Sequence, residues 1–333
     1  MRRVSCLVGI VLAAGCGGRP EVVVYSSLDK EFSGSILSGY AAANGVRVRP
    51  KYDAESTKTV GLITLIEGET SRPRCDLFWN NEILHTLRLK KKGLLATFRP
   101  AHAADYPEMY RDPDGQWYGF AARARIILVN TKLIPEADRP KSILDLADKK
   151  WKGKIGLAKP LFGTTATHAA CLFAAWGDDR AKSYYKSLKA NDVQILSGNK
   201  QVAQAVGSGA IAFGMTDTDD AMEEIAAGSP VAIVYPDRDE GGLGTLFIPN
   251  TLAVIKGCPH PDRAEALASY LLSPEVENAL AAGPSAQIPL NPKAKAPARV
   301  ETPKTVRPMK ADFAKAADLW ESVAAFLLEE FGG

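Results

Sequence analysis

The chain has 333 residues, 46% of them hydrophobic and 24% charged, with a formal net charge of +3. That length suits one large or two ordinary α/β domains, and that composition is globular. With no strong basic or acidic excess, a polyelectrolyte-binding role is excluded as the main function.

The first fifteen residues stand apart. Arg2 and Arg3 precede an apolar stretch, 4–14, which ends in Leu12-Ala-Ala-Gly-Cys16. This pattern predicts a signal peptide over 1–15, too short for a lasting membrane span. Its Ala-Ala-Gly-Cys end also resembles a bacterial lipobox, which makes Cys16 the expected lipidation site. Removal of Arg2 and Arg3 leaves 39 basic against 38 acidic side chains. Cys75, Cys171 and Cys258 then remain, with neither disulfide-framework nor metal-pair spacing; Cys75 and Cys171 read as core thiols.

Taken in order, apolar periodicity predicts a strand at 22–25, a helix at 29–44 ending at Asn44-Gly45, and an alternating strand at 46–52. A helix at 57–69, a strand at 76–79 and a helix at 83–92 follow. Lys90-Lys-Lys92 reads as a solvated helix end. Residues 118–130 form one extended run, long for a strand and suited to crossing between two lobes. Alternation resumes with a helix at 142–148, a strand at 155–158, helices at 165–176 and 178–188, a strand at 193–196 and a helix at 200–206. Strands at 210–215 and 231–235 flank a helix at 221–227. A second crossing segment at 246–256, helices at 261–272 and 274–282, a Pro- and Lys-rich connection and a helix at 312–331 complete the chain. The alternation predicts a mainly parallel sheet flanked by helices.

The stretch Thr216-Asp-Thr-Asp-Asp220 ends a buried strand where a helix begins, a place where open α/β sheets hold ligands. Thr218 as an N-cap, with Asp219 and Asp220 favoured by the helix dipole, is the structural alternative. No HExxH, Gly-x-Ser-x-Gly, Walker or GxGxxG pattern is present, and His85, His102, His168 and His260 are scattered, which argues against an enzyme.

Six pieces together resemble the periplasmic solute-binding proteins of ferric-ion-binding type, the receptors of bacterial ABC importers. They are Val24-Tyr-Ser-Ser27, Cys75-Asp-Leu-Phe-Trp-Asn-Asn-Glu82, Ala122-Arg-Ala-Arg-Ile-Ile-Leu-Val-Asn-Thr131, Trp151-Lys-Gly-Lys-Ile-Gly156, Gly198-Asn-Lys-Gln-Val-Ala-Gln-Ala-Val206 and Ile288-Pro-Leu-Asn-Pro292. The resemblance implies a two-lobed type II periplasmic-binding-protein fold, with mixed sheets, flanking helices and two crossing hinge strands. Its lobes would be 16–121 plus 252–300 and 122–251 plus 301–333. It places Ser26, Ser27, Glu82, Gly163, Thr164, Thr165, Asn199, Thr216, Asp217 and Asp219 at a ligand cleft. Glu82 matches a metal carboxylate, Asn199 an anion-contacting asparagine, and 163–167 an anion-binding helix start.

Iron-binding members have adjacent tyrosines where this chain has Thr218 and Asp219, and Leu28 stands where some carry histidine. Glu82, Asp217 and Asp219 are the metal candidates, for Fe³⁺ with a synergistic anion as cargo rather than a required cofactor. A small organophosphonate, a sugar phosphate and a zwitterionic amine are the alternative cargoes, and a sensor lipoprotein the remoter role. ABC permease subunits are the expected partners of a monomeric receptor in the periplasm or cell envelope, with no nucleic acid and membrane contact only through the lipid anchor.

Overall fold

The computed structural model describes residues 19–53, 57 and 59–332. The signal segment and Cys16 lie outside the described residues. In chain order the elements are β1 Glu21–Ser26, α1 Lys30–Asn44, β2 Arg47–Tyr52, α2 Val60–Gly68, β3 Leu77–Asn80, α3 Leu84–Lys91 and β4 Tyr118–Asn130. Then come β5 Ile155–Ala158, α4 Gly163–Trp176, α5 Asp178–Ala190, β6 Gln194–Leu196, α6 Asn199–Ser208, β7 Phe213–Asp217 and α7 Thr218–Ala226. The last are β8 Val231–Val234, β9 Phe247–Val254, α8 Pro261–Leu271, α9 Pro274–Ala282 and α10 Phe313–Phe331. The predicted helix at 142–148 is instead a 3-10 segment, Ile143–Ala147, closed at its start by a Ser142/Asp145 capping box.

The strands run in the order β2-β1-β3-β9-β4-β7-β5-β6, with β8 also on β4. β1 pairs in parallel with β2 and β3, and β5 with β6 and β7, as the βα alternation requires. β9 and β4 are antiparallel to their neighbours, so the sheet is mixed rather than mainly parallel.

β4 joins the two halves of this sheet. Its first part, Tyr118–Ala124, pairs with β9, and Arg125–Val129 pairs with β7. The register shifts between Phe120 and Arg123, where Ala121 adopts a left-handed φ of 43°. A bulge bends a strand and re-aims its side chains, and here the next residues are Arg123 and Arg125. Every residue of β4 and β9 is buried. Two aromatic–aliphatic cores flank the sheet, one around Trp79, Phe78 and Phe120, the other around Phe173, Phe213 and Trp320. Cys75, Cys171 and Cys258 are free and buried, and no helix among the described residues is long and apolar enough to cross a membrane.

The 210–215 strand begins later than its apolar run suggests. Gly209 ends α6 in the left-handed conformation at φ 80°, and Ala210–Ala212 complete the turn before Phe213 enters the sheet. The shift moves Thr216 and Asp217 into β7 and starts α7 at Thr218.

Candidate functional site

Three helices begin at one cleft. α4 starts after Phe162, α6 after Gly198 and α7 after Asp217, and none of these N-caps makes a side-chain capping bond. The first amides of a helix lack intrahelical acceptors and carry the positive end of its dipole. Phe162–Thr165, Ser197–Asn199, Asp217, Asp219 and Asp220 line the cleft, together with Arg123, Lys159, Asn81 and Asp29. The space between these residues, counted with the solvent it opens to, is about 410 Å³. Such a wall suits an oxyanion.

The floor is a closed polar knot around Arg125, which is fully buried. The β4–β7 register sets Arg125 opposite Asp217, and Arg125 Nη1 donates to Asp217 Oδ1 at 2.8 Å. Thr164 Oγ1 donates to Asp217 Oδ2 at 2.5 Å, and Asn199 Nδ2 donates to that same oxygen at 3.1 Å. Arg125 Nη2 reaches Thr165 Oγ1 at 3.2 Å, and Thr165 in turn donates to Asn199 Oδ1 at 3.0 Å. Burial opposes ionisation of Asp217, but Arg125, Arg123 and Thr164 outweigh it and hold the carboxyl below its usual range. His168, behind this knot, is buried and sits near Arg125; both effects push its pKa down to about 3, so it stays neutral.

Arg123 forms the second layer, nearer the ligand space. Its guanidinium donates to Asp219 Oδ2 at 3.1 Å and to the carbonyl of Asn81. Asn81 follows β3 and Asp219 opens α7, so Arg123 ties the two halves together from the strand that crosses between them. Burial disfavours its charge, while Asp219 and Asp217 more than restore it, raising its pKa. Its Nε lies buried with no hydrogen-bond partner among the described residues. One oxygen each from Asp217, Asp219 and Asp220 lies within 4.8 Å of the others, close enough for a shared cation. At the rim, Lys200 of α6 bridges Glu31 of α1 at 2.7 Å and Glu223 of α7 at 3.2 Å.

The expected site residues thus divide. Gly163, Thr164, Thr165, Asn199, Asp217 and Asp219 line the cleft, as does Asp220. Ser26, Ser27, Glu82 and Thr216 do not line it. Ser26 donates to the Leu28 carbonyl; Ser27 bonds Asn80 and Asn81. Thr216 bonds the Asn199 carbonyl and Asp220. Glu82 is wholly buried, accepting from Asn80 Nδ2 at 2.7 Å and Thr167 Oγ1 at 2.8 Å, with the His85 backbone amide and ring Nδ1 each at 3.1 Å. Its burial would raise the pKa, but His85, Asn80 and Thr167 reverse that and lower it. With its oxygens so committed, Glu82 braces β3 against α4 instead of facing a ligand.

Thr218 is not the cap of α7. Asp217 holds that position, and its carboxylate is turned to Arg125; the Thr218 hydroxyl accepts from the Ala124 amide at 3.2 Å. The adjacent pair Tyr184-Tyr185 lies inside α5, buried and with raised pKa values, and does not line the cleft. Arg123, Lys159, Asn81 and Asp29 were not anticipated. Two arginines at alternate positions of an otherwise apolar, buried strand are the signal for the first, since a buried guanidinium requires acid partners.

The profile of the bacterial extracellular solute-binding proteins matches residues 81–317. Curated relatives include the major ferric iron-binding protein of Neisseria meningitidis, 26% identical with 86% of each chain covered. Iron uptake protein A1 of Synechocystis sp. is 25% identical, over 83% of this chain and 81% of its own. Among solved structures, iron-bound HitA from Pseudomonas aeruginosa superposes with a TM-score of 0.83 at 23% identity, covering 92% of this chain and 99% of HitA. AfuA from Actinobacillus pleuropneumoniae, with fructose-6-phosphate bound, gives 0.84 at 21% identity over 95% and 99%.

Proposed function

The chain belongs to the bacterial extracellular solute-binding proteins, transport receptors rather than enzymes, and we propose that it takes ferric iron together with a small oxyanion in the cleft at α4, α6 and α7. The observation that supports this reading is the meeting of opposite charges in one cleft. Uncapped helix starts, Arg123 and Lys159 suit the anion, and Asp217, Asp219 and Asp220 group three carboxylate oxygens where a hard cation would sit. The relatives named above as iron proteins favour iron as the cation. The loaded cleft is then recognised by ABC permease subunits, with the receptor acting as a monomer held at the envelope through lipidated Cys16.

One observation favours a second cargo. Asp217 and Asp219 are each paired with an arginine, which withholds two carboxylates from a bare cation. A phosphate or phosphonate bearing hydroxyl or ammonium groups would use the helix starts and Arg123 without displacing those pairs, as would the sugar phosphate named for AfuA.

Thermal melts with ferric citrate, ferric ion plus carbonate, fructose-6-phosphate and 2-aminoethylphosphonate separate the readings. A ligand at a hundred times its Kd adds about 2.7 kcal/mol. Stabilisation by both ferric mixtures, with iron bound at one per chain by elemental analysis, is the expected outcome. Stabilisation by the phosphorylated compounds alone would transfer the site to the second cargo.

A further inference from the structure

A second charged feature lies outside the cleft. β2 is an edge strand, and its parallel register with β1 sets Val23 opposite Arg49 and Tyr25 opposite Lys51. Strand alternation puts Arg47, Arg49 and Lys51 on one side of β2, all exposed. An open groove of about 1070 Å³ runs along that side, and Arg72 and Arg74 enter it from the loop after α2.

These cations are poorly neutralised. Arg49 has Glu21 at 3.6 Å, and Arg74 has Glu69 at 3.9 Å while remaining 77% exposed. Glu69 is already engaged, accepting at both oxygens from Tyr25 at 3.0 Å. Lys51 lies 5.4 Å from the Tyr25 ring centre. Arg47, Lys51 and Arg72 have no ion pair among the described residues. Lys90, Lys91 and Lys92, the cationic run evident in the sequence, are by contrast all paired, to Asp112 and Asp114, Asp318 and Glu67. The groove is therefore a local positive excess, not a sample of an evenly mixed surface.

Its position limits the partner. The groove runs along β1 from Glu21 to Tyr25, and the cleft begins beyond that strand, at Asp29. Glu21 is five residues on from Cys16, a reach of about 17 Å fully extended. For an extracellular protein, the anionic surface of a lipid bilayer is a polyanion within that reach. We infer that the Arg49–Lys51–Arg72–Arg74 groove docks on the headgroups of anionic phospholipids and leaves the cleft off the membrane. The docking contact is made by side chains and does not require lipidation of Cys16.

The test is co-sedimentation with vesicles of phosphatidylcholine alone or with 30% phosphatidylglycerol, about 3 in 10 lipids being anionic. A chain beginning at Gly17 keeps every strand and helix described above and has no anchor. Binding only to the anionic vesicles is expected, with release as salt shortens the screening length. Each basic residue near such a surface contributes about fivefold to partitioning, so Lys51→Gln/Arg72→Gln/Arg74→Gln should lower it roughly a hundredfold. The single Lys51→Gln, about fivefold, serves if the triple variant melts early. Lys295→Gln/Lys304→Gln/Lys310→Gln removes the same charge from a distant loop and should change partitioning far less. Equal loss in both triples, or no preference for anionic vesicles, would overturn the inference. So would release by inorganic phosphate beyond that caused by chloride of equal ionic strength, which would make the groove a soluble-phosphate site.

Discussion

Glu82 and the acidic residues at the start of α7 occupy equivalent places, each just beyond a buried strand where a helix begins. Their surroundings differ. Glu82 is wrapped by Asn80, Thr167 and His85, and its oxygens face protein on every side. Asp219 and Asp220 stand on the cleft wall, beside an arginine whose Nε has no acceptor among the described residues. Asp217 lies between the extremes: it borders the cleft, yet four donated bonds from Arg125, Thr164 and Asn199 already engage it or its immediate partners. A satisfied buried network fixes geometry, while a partly open one retains the capacity to bind. The distinction is between frame and site.

The sharpest way to break this distinction is to remove Arg125. Arg125→Ala leaves Asp217 buried without its cation and should destabilise the fold by about 3–5 kcal/mol in urea titrations. An unchanged midpoint would remove Arg125 from the frame. Glu82→Ala strands Asn80, Thr167 and His85 and should cost about 3 kcal/mol, with ligand affinity of the folded fraction unchanged within about threefold. Loss of affinity without loss of stability would restore Glu82 as a ligand.

Acid sharpens the frame further. His168 has a folded pKa of about 3 against an ordinary 6.5, so below pH 6.5 the unfolded chain binds the proton more readily. Stability is full above 6.5 and falls on acidification, by about 2 kcal/mol at pH 5. His168→Gln should flatten that slope in urea midpoints measured from pH 7 to 5. Glu82 and Asp217, both lowered, add a separate loss only below the ordinary carboxylate range, as pH falls through their folded values. On the open side of the comparison, Asp219→Asn should weaken ligand binding about tenfold, or about 1.4 kcal/mol, in calorimetric titration. Asp220→Asn should weaken it less, and of the two only Asp219→Asn, which removes the charge paired with buried Arg123, should also lower stability. Equal and negligible effects would make the start of α7 part of the frame as well.

Most of the fold was legible because its signals are local. The buried run at 118–130 coincides with β4 to the residue, and Asn44-Gly45 ends α1 with Gly45 at φ 65°. What periodicity missed was set by distant contacts. The apolar Ala210 and Ile211 look like strand, but the α6 turn claims them. Glu82 and Thr216 stand at the right strand ends, and only the packing of Thr167, His85 and Asn199 against them shows that they turn inward. Arg123 and Lys159 reach the cleft from strand and loop positions without any motif to announce them.

The bulge at Phe120–Arg123 has a consequence for how this receptor could be re-specified. Both arginines hang from a strand shared by the two halves, whereas Asp219 and Asp220, which line the cleft, are consecutive residues at one helix start. Charge on one wall is tied to the shared strand, and charge on the other is a short exchangeable segment. Replacing Asp220 should therefore alter which cargo is accepted while leaving the Arg123–Asp219 and Arg125–Asp217 pairs intact. That separation makes the first turn of α7 a natural cassette for building sensors of chosen solutes on an unchanged scaffold.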